Sequence, residues 1–581
     1  MLSVRLRAAA RTLGIRLPWV LFPAALLAPL APLAVEIAHG AGDRGVLGER
    51  FAVATDSPLA SEAALAALER GGDAVDAAVA AAATLGVVAP AGSGLGGGGF
   101  ALVWRAKEHA ATAFDFRETA PKAFDGAAFE ARAKASPEEK TRARGVLVGV
   151  PGEPIGLATL HARWGKRPLA EDLAPAVRAA REGFPVGRYL AEVLRGDPFG
   201  IAAHPALGPL FFEGGAVRPR TALVKRPALA RTLERFGAEG SAAFYAGPIA
   251  EHLVAAARAH GSAMTLEDLR ARAVEERAPL VRTFGRRAVH TMPAPSAGGL
   301  MALEALTLFG ADGTSSLART GAGSSAQLHA VAEAMRGALS DRLRFLGDPS
   351  TDAGANARVE AALDAKRLRA RADSWSPLRA HAAVDDAARE RGTSHLVVVD
   401  AEGNVVSLTT TINGPFGARI ETEDGVLLND ELDDFTTRAE AERFLGKEPS
   451  PNRPRPHARP VSSMMPTLVL EDGEPLFVVG GSGGRRIATA CTQVLLRALV
   501  FGDDAAEAVA APRVHIGADL ELLLEREVPA DVENALRARG NEVKRDPMKA
   551  AVQAVRITRE GGVRTLHAAA DPRKYGLALA R

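Results

Sequence analysis

The chain has 581 residues, 47% hydrophobic and 24% charged, an ordinary globular composition with length for a large core or two domains. Its net charge is +2, and the first forty residues hold Arg5, Arg7, Arg11 and Arg16 against Glu36, a net +3; the rest carries +2 − 3 = −1, which offers no basic footprint for nucleic acid. The single Cys491 excludes an internal disulfide and a cysteine-built zinc site, and no HExxH motif occurs.

Residues 1–40 read as a secretory signal peptide. "MLSVRLRAAARTLGIR" is basic, "LPWVLFPAALLAPLAPLAV" is apolar, and "AHG" supplies small residues for cleavage. The apolar stretch is long, but its four prolines disfavour a spanning helix. Export to a periplasmic or extracellular space is expected, with membrane attachment only through a retained leader. Next, "SPLASEAALAALERGGDAVDAAVAAAATLGVV" is helical in texture, broken at Gly71 and Gly72. "GSGLGGGGFALVWRA" is a glycine loop running into a strand. Its "GLGGGG" matches G-x-G-x-x-G, but a dinucleotide site needs a helix directly afterwards, so that reading fails. "PIGLATLHARWGKRPLAEDLAPAVRAAREGFPV" and "SAQLHAVAEAMRGALSDRLRFLGDP" predict helices, and residues 372–392 form a polar, flexible segment. From Thr393 the chain turns strand-rich: "GTSHLVVVDAEGNVVSLTTTIN", "GVLLND", "PTLVLEDGEPLFVVGG" and "VQAVRITREGGVRTLHAA". Between them, "GKEPSPNRPRPHARP" (446–460) is too rich in proline for regular structure. Strands joined by short hairpins, with helices elsewhere, predict an α+β fold of antiparallel sheets covered by helices.

The ribbon that begins at Thr393 can be read in detail. "DAEGN" has the pattern of a three-residue hairpin loop, with Gly403 in the left-handed position. Pairing Asp400 with Asn404 places Thr393 opposite Thr411. Side chains alternate, so Thr393, His395, Ser407, Thr409, Thr411 and Asn413 share one face, and Leu396, Val398, Val406, Leu408 and Ile412 share the other. The polar face is either a solvated, Thr-rich strand surface or a site. "GGSGG" (480–484) leaves three readings open. Ser482 fits a nucleophile elbow with His515 or His567 as partner, although its hairpin setting is not the parallel one that elbow needs. Consecutive glycine N–H groups before a helix also make an anion cradle. The third reading is a tight strand-to-helix turn.

Taken together, "GSGLGGGGF", "DFRETAP", "VPGEPIGL", "MPAPSAGG", "DRLRFLGDP", the ribbon, "LLNDELDDF", "RPVSSMMPT", "GGSGGRRI" and "ADPRKYG" resemble the γ-glutamyltransferase (γ-glutamyltranspeptidase) family of N-terminal-nucleophile hydrolases, from about residue 50 onward. The resemblance implies a four-layer αββα sandwich of antiparallel sheets. It also implies self-cleavage at Gly392–Thr393. Residues 41–392 then form a large subunit and 393–581 a small catalytic one, a heterodimer from one precursor, with 436–460 as a candidate lid. After the cut, Thr393 carries both a nucleophilic hydroxyl and an α-amine that titrates near pH ~7.7–8.0, suited to act as its own base. Gly392, with no side chain, leaves the hydroxyl room to attack.

Carried over residue by residue, Thr411 orients the new N-terminus, and Gly483 and Gly484 form the oxyanion hole. Arg117, Ser462 and Ser463 hold the substrate α-carboxylate, and Asn413, Glu431 and Asp434 hold its α-ammonium. Residue chemistry alone leaves Arg117 the option of an ion pair with Asp115 or Glu118, and leaves "NDELDD" the option of a solvated acidic turn. Ser482 becomes a bystander. The implied reaction passes a γ-glutamyl group from glutathione or a related donor through a Thr393 ester to water, an amino acid or a peptide, with no metal or cofactor. Two alternatives are a cephalosporin (glutaryl) acylase-like amidohydrolase and a homologue that binds without processing.

Overall fold

The computed structural model describes residues 45–310, 316–382, 392–547 and 549–581. The signal-peptide expectation and residues 383–391 of the expected flexible segment lie outside the described residues.

Two seven-stranded sheets dominate the fold, and every pairing within each is antiparallel. One sheet runs Leu577–Ala580, Ala52–Thr55, Ser394–Val399, Val405–Thr411, Gly98–Arg105, Ala110–Asp115 and Glu275–Arg277. The other runs Val46–Gly48, Val563–Ala570, Ala551–Glu560, Glu474–Ser482, Thr467–Glu471, Arg287–Thr291 and Leu280–Phe284. The sheets pack face to face, and helices cover both outer faces. This is the αββα sandwich.

The ribbon shows why the layers form. Ser394 pairs with Thr410 and Val399 with Val405, the expected register, and Gly403 takes φ +86° in the turn. Val397, Val399 and Val405 join the core between the sheets, whereas Leu396, Val398, Val406 and Leu408 join a second core against the helices. Both faces are buried, which rules out the solvated-surface reading. The helix Ala74–Val88 is apolar nearly all round because it lies between the first sheet and the helix Leu169–Glu182. The Asp73 carboxylate caps its N-terminus, accepting from the Val75 and Asp76 N–H groups, and Gly71, at φ +91°, closes the break before it.

One expectation needs correction. "GVLLND" makes only isolated bridges, Gly96 with Leu428 and Glu421 with Leu427, and is not a ladder strand. Within the candidate lid 436–460, Arg438–Leu445 is a helix, with Thr437 and Glu440 forming a capping box. Residues 446–460 have no regular structure, as their prolines require.

Candidate active site

The chain is continuous across Gly392–Thr393, at the start of the ribbon. The Thr393 hydroxyl donates to the Gly392 carbonyl at 2.5 Å. Across the ribbon, Thr411 Oγ1 donates to the same carbonyl at 2.9 Å. The Asn413 N–H donates to Thr411 Oγ1 at 2.8 Å, which leaves that hydroxyl's proton for the carbonyl. Thr411 therefore addresses the Gly392 carbonyl rather than an α-amine. The need for glycine at 392 also has a more direct cause than room for the hydroxyl. A Cβ there lies 2.1 Å from the Ala91 carbonyl oxygen, a contact no side chain survives.

Thr393, Thr411, Asn413 and Gly484 line one cleft of about 310 Å³. Arg117, Glu431, Asp434, Ser462 and Ser463 complete its wall. Gly483 and Gly392 do not line it. Gly483 sits one residue behind Gly484, where a Cβ comes 2.6 Å from Ala550 Cα. Gly483 and Gly484 have φ of +125° and +63°, between the strand that ends at Ser482 and the helix Arg486–Leu496. Asn413 itself sits at φ +71°, a conformation asparagine tolerates better than most residues, and its amide donates to the Asp430 carbonyl at 3.1 Å.

Arg117 is 1% exposed, and its partners differ from both residue-level candidates. Its guanidinium pairs with Glu431 and, at 2.8 Å, with Asp434, and its Nε donates to the Pro460 carbonyl at 2.6 Å. Only its main-chain N–H reaches Asp115. Burial pulls the Arg117 pKa down, but Glu431, Asp434 and Glu118 outweigh it and hold the group charged. Glu431 is 1% exposed, so "NDELDD" is not a solvated turn. Glu118 is buried with both carboxylate oxygens unpaired, and burial, reinforced by Glu431, pushes its pKa well up. The residues expected to hold an ammonium thus already grip the residue expected to hold a carboxylate. A zwitterionic α-amino acid group suits this array, since it carries one charge for each side.

Ser482 belongs to no triad. Lys574 Nζ donates to its hydroxyl at 2.7 Å, while His515 meets Thr489 and His567 lies 3.8 Å from Asp504. The strand of Ser482 has antiparallel neighbours on both sides, unlike an elbow. A second cleft of about 380 Å³ shares Arg342, Asp434 and Arg485 with the first and extends along the helix Arg438–Leu445 to Glu440 and Phe444. Asn452 staples this region, donating to the Asp434 carbonyl at 2.8 Å and accepting from the Val461 N–H at 2.9 Å. Arg342, Arg485, Asn452 and Lys574 were given no role from sequence, although all but Asn452 stand inside quoted motifs. Asp76, His161 and Asp172 converge elsewhere, but the Lys166 and Arg167 N–H groups and the Arg167 guanidinium occupy those carboxylates, which makes a structural knot rather than a metal site.

Comparisons with known proteins bear on the chain as a whole. The family model described as gamma-glutamyltranspeptidase matches residues 60–580. "Glutathione hydrolase 2" of Arabidopsis thaliana is 33% identical, covering 92% of this chain and 94% of its own. The "Glutathione hydrolase proenzyme" of Escherichia coli strain K12 is 31% identical, covering 94% and 95%. Among solved structures, a cephalosporin acylase from Bacillus halodurans superposes with a TM-score of 0.80 at 25% identity, covering 92% of this chain and 97% of that one. The match of both fold and sequence over nearly the whole length places this chain in the γ-glutamyltranspeptidase family.

Proposed function

We propose that this protein is a self-processing γ-glutamyl acyltransferase and hydrolase that cleaves the γ-glutamyl amide of glutathione and related compounds. One observation carries the reading: a threonine hydroxyl at a glycine–threonine junction shares a cleft with a paired-charge array suited to an α-amino acid. In the precursor, Thr393 Oγ attacks the Gly392 carbonyl, and the Thr411 hydroxyl stabilises the charge that develops on its oxygen. The C–N bond breaks as the amide becomes an ester, which frees the Thr393 α-amine, and water then hydrolyses the ester to release the Gly392 carboxylate and the Thr393 hydroxyl.

In the mature enzyme that amine takes the hydroxyl proton as Oγ attacks the donor's γ-carbonyl. The Gly483–Gly484 turn supplies N–H donors to the tetrahedral oxyanion. Arg117, Ser462 and Ser463 hold the donor α-carboxylate, and Asn413, Glu431 and Asp434 hold its α-ammonium. The amine leaves with the proton, and water, an amino acid or a peptide then accepts the γ-glutamyl group from Thr393. The two fragments, 41–392 and 393–581, stay together as a heterodimer, and 436–460 closes over the donor. The basic and apolar leader supports export. Among the described residues, no helix is long and apolar enough to cross a membrane.

The cephalosporin acylase neighbour favours a glutaryl amide as the second reading. A glutaryl group has no α-ammonium, so it leaves Glu431 and Asp434 without a new partner. Intact-mass analysis with N-terminal sequencing tests the proposal. Fragments of roughly 37 and 20 kDa, the smaller starting Thr-Ser-His-Leu, are expected from the wild type and absent in Thr393→Ala. Turnover of γ-glutamyl rather than glutaryl amides is expected alongside. An active, uncut wild type sinks the reading.

A further inference from the structure

Lys574 closes the short turn Pro572–Lys574 and is only 3% exposed. A lysine is buried to this extent only when its ammonium has partners. Its Nζ donates to the Thr393 carbonyl at 3.1 Å and to Ser482 Oγ at 2.7 Å, lies 3.9 Å from Asp56 Oδ2, and sits 4.9 Å from the centre of the Tyr189 ring. Thr393 carries the nucleophile, and Ser482 is the last residue before the Gly483–Gly484 turn. A single ammonium thus bridges the first strand of the ribbon and the strand in the facing sheet that leads to the oxyanion turn.

We propose that Lys574 is a positioning residue for γ-glutamyl transfer: it ties the Thr393 main chain to the end of the Ser482 strand, and its charge keeps the Thr393 α-amine of the cut chain in the neutral, proton-accepting form. This inference rests on the self-cleaving acyl-transfer reading above. A residue's own nitrogen and carbonyl oxygen lie ~3 Å apart, so Nζ is within roughly 7 Å of the α-nitrogen. A cation at that range disfavours a second positive charge and lowers the amine's pKa.

The surrounding charges fix the sign. Asp56 is the counter-ion of Lys574. It also accepts from the His395 N–H at 3.2 Å and from Gln553 Nε2 at 2.6 Å, so it opposes the lysine without cancelling it. On the Thr393 strand itself, burial pushes His395 down to about 3 and keeps it neutral. From the opposite wall of the cleft, Arg117 is paired with the two carboxylates of Glu431 and Asp434, and Arg342 and Arg485 also line the cleft. The ring of Tyr189 faces the ammonium as an uncharged π surface.

The test is the pH dependence of kcat/KM for a γ-glutamyl amide in cut wild type, Lys574→Met, Lys574→Arg and Asp56→Asn. The acid limb reports the α-amine losing its proton. Removing the cation raises that pKa, so the limb of Lys574→Met is expected to move up by about one pH unit, with a roughly tenfold fall in kcat. Lys574→Arg keeps the wild-type limb, and Asp56→Asn moves it down. A purely structural role does not shift the two charge-changing variants in opposite directions. An unmoved limb in Lys574→Met overturns the proposal. Should that variant fail to fold or cleave, pH-dependent acetylation of Thr393 in the wild type decides: a pKa below ~7.7 is expected, and one at or above it overturns the inference. A wild type lacking an N-terminal Thr393 or γ-glutamyl turnover instead overturns the functional reading itself.

Discussion

At the scale of single residues, Arg117 and Glu153 carry the clearest tests. The planar Arg117 fork serves two carboxylates and a carbonyl at once, which a lysine ammonium cannot do. Arg117→Lys is expected to raise KM for the γ-glutamyl donor by about tenfold or more, a loss of ~1.4 kcal/mol, measured by initial rates on cut enzyme. Glu153 lies buried at the start of the helix Glu153–Trp164, and burial, opposed by the Thr410 hydroxyl, pushes its carboxyl up to about 8. Unfolded, the same group ionises above its usual 4.5. Between those values the unfolded chain binds fewer protons than the native one, so the fold loses stability as pH rises, on the order of 5 kcal/mol across the window. Glu153→Gln removes that titration, and its Tm is expected to fall less than the wild-type Tm between about pH 5 and about pH 9.

At the scale of elements, the hairpin was legible because its turn chemistry is local. Asp400, Gly403 and Asn404 fix the loop, and the loop fixes which side chains face each other for the length of both strands. The segment that touches the scissile bond was not legible. Ala91 precedes the glycine loop that Gly92 opens, and only the folded chain brings the Ala91 carbonyl against Gly392. Gly392→Ala is therefore expected to slow or abolish self-cleavage by displacing the junction. The readout is precursor persistence on denaturing gels over hours, and cleavage at the wild-type rate counts against this packing argument. The segment 436–460 likewise needed the fold. A capping box predicts the helix Arg438–Leu445, but the Asn452 staple joins atoms that only tertiary folding brings together.

At the scale of the whole molecule, the proposed cut at Gly392 would not separate two domains. Both sheets contain strands from before and after it: Ala52–Thr55 lies between Leu577–Ala580 and Ser394–Val399, and the second sheet flanks four strands from after it with strands from before it. Both cores likewise draw on both sides of the bond. The two fragments are expected to co-elute as one particle in native size-exclusion chromatography and to part only in denaturant. Fragments that separate under native conditions contradict the interleaved sheets.

The sequence by itself determined the secondary-structure texture and the ribbon register, because each depends on neighbouring residues or on a local pattern of apolar and polar side chains. The motif order also carried the family, and with it the layered fold. The tertiary structure alone decided who partners whom. Glu431 and Asp434 lie more than three hundred positions from Arg117, and Lys574 lies 181 from Thr393. No periodicity encodes such meetings. They follow from how two sheets stack and where their loops converge, and burial there makes each unpaired charge costly enough to require its partner.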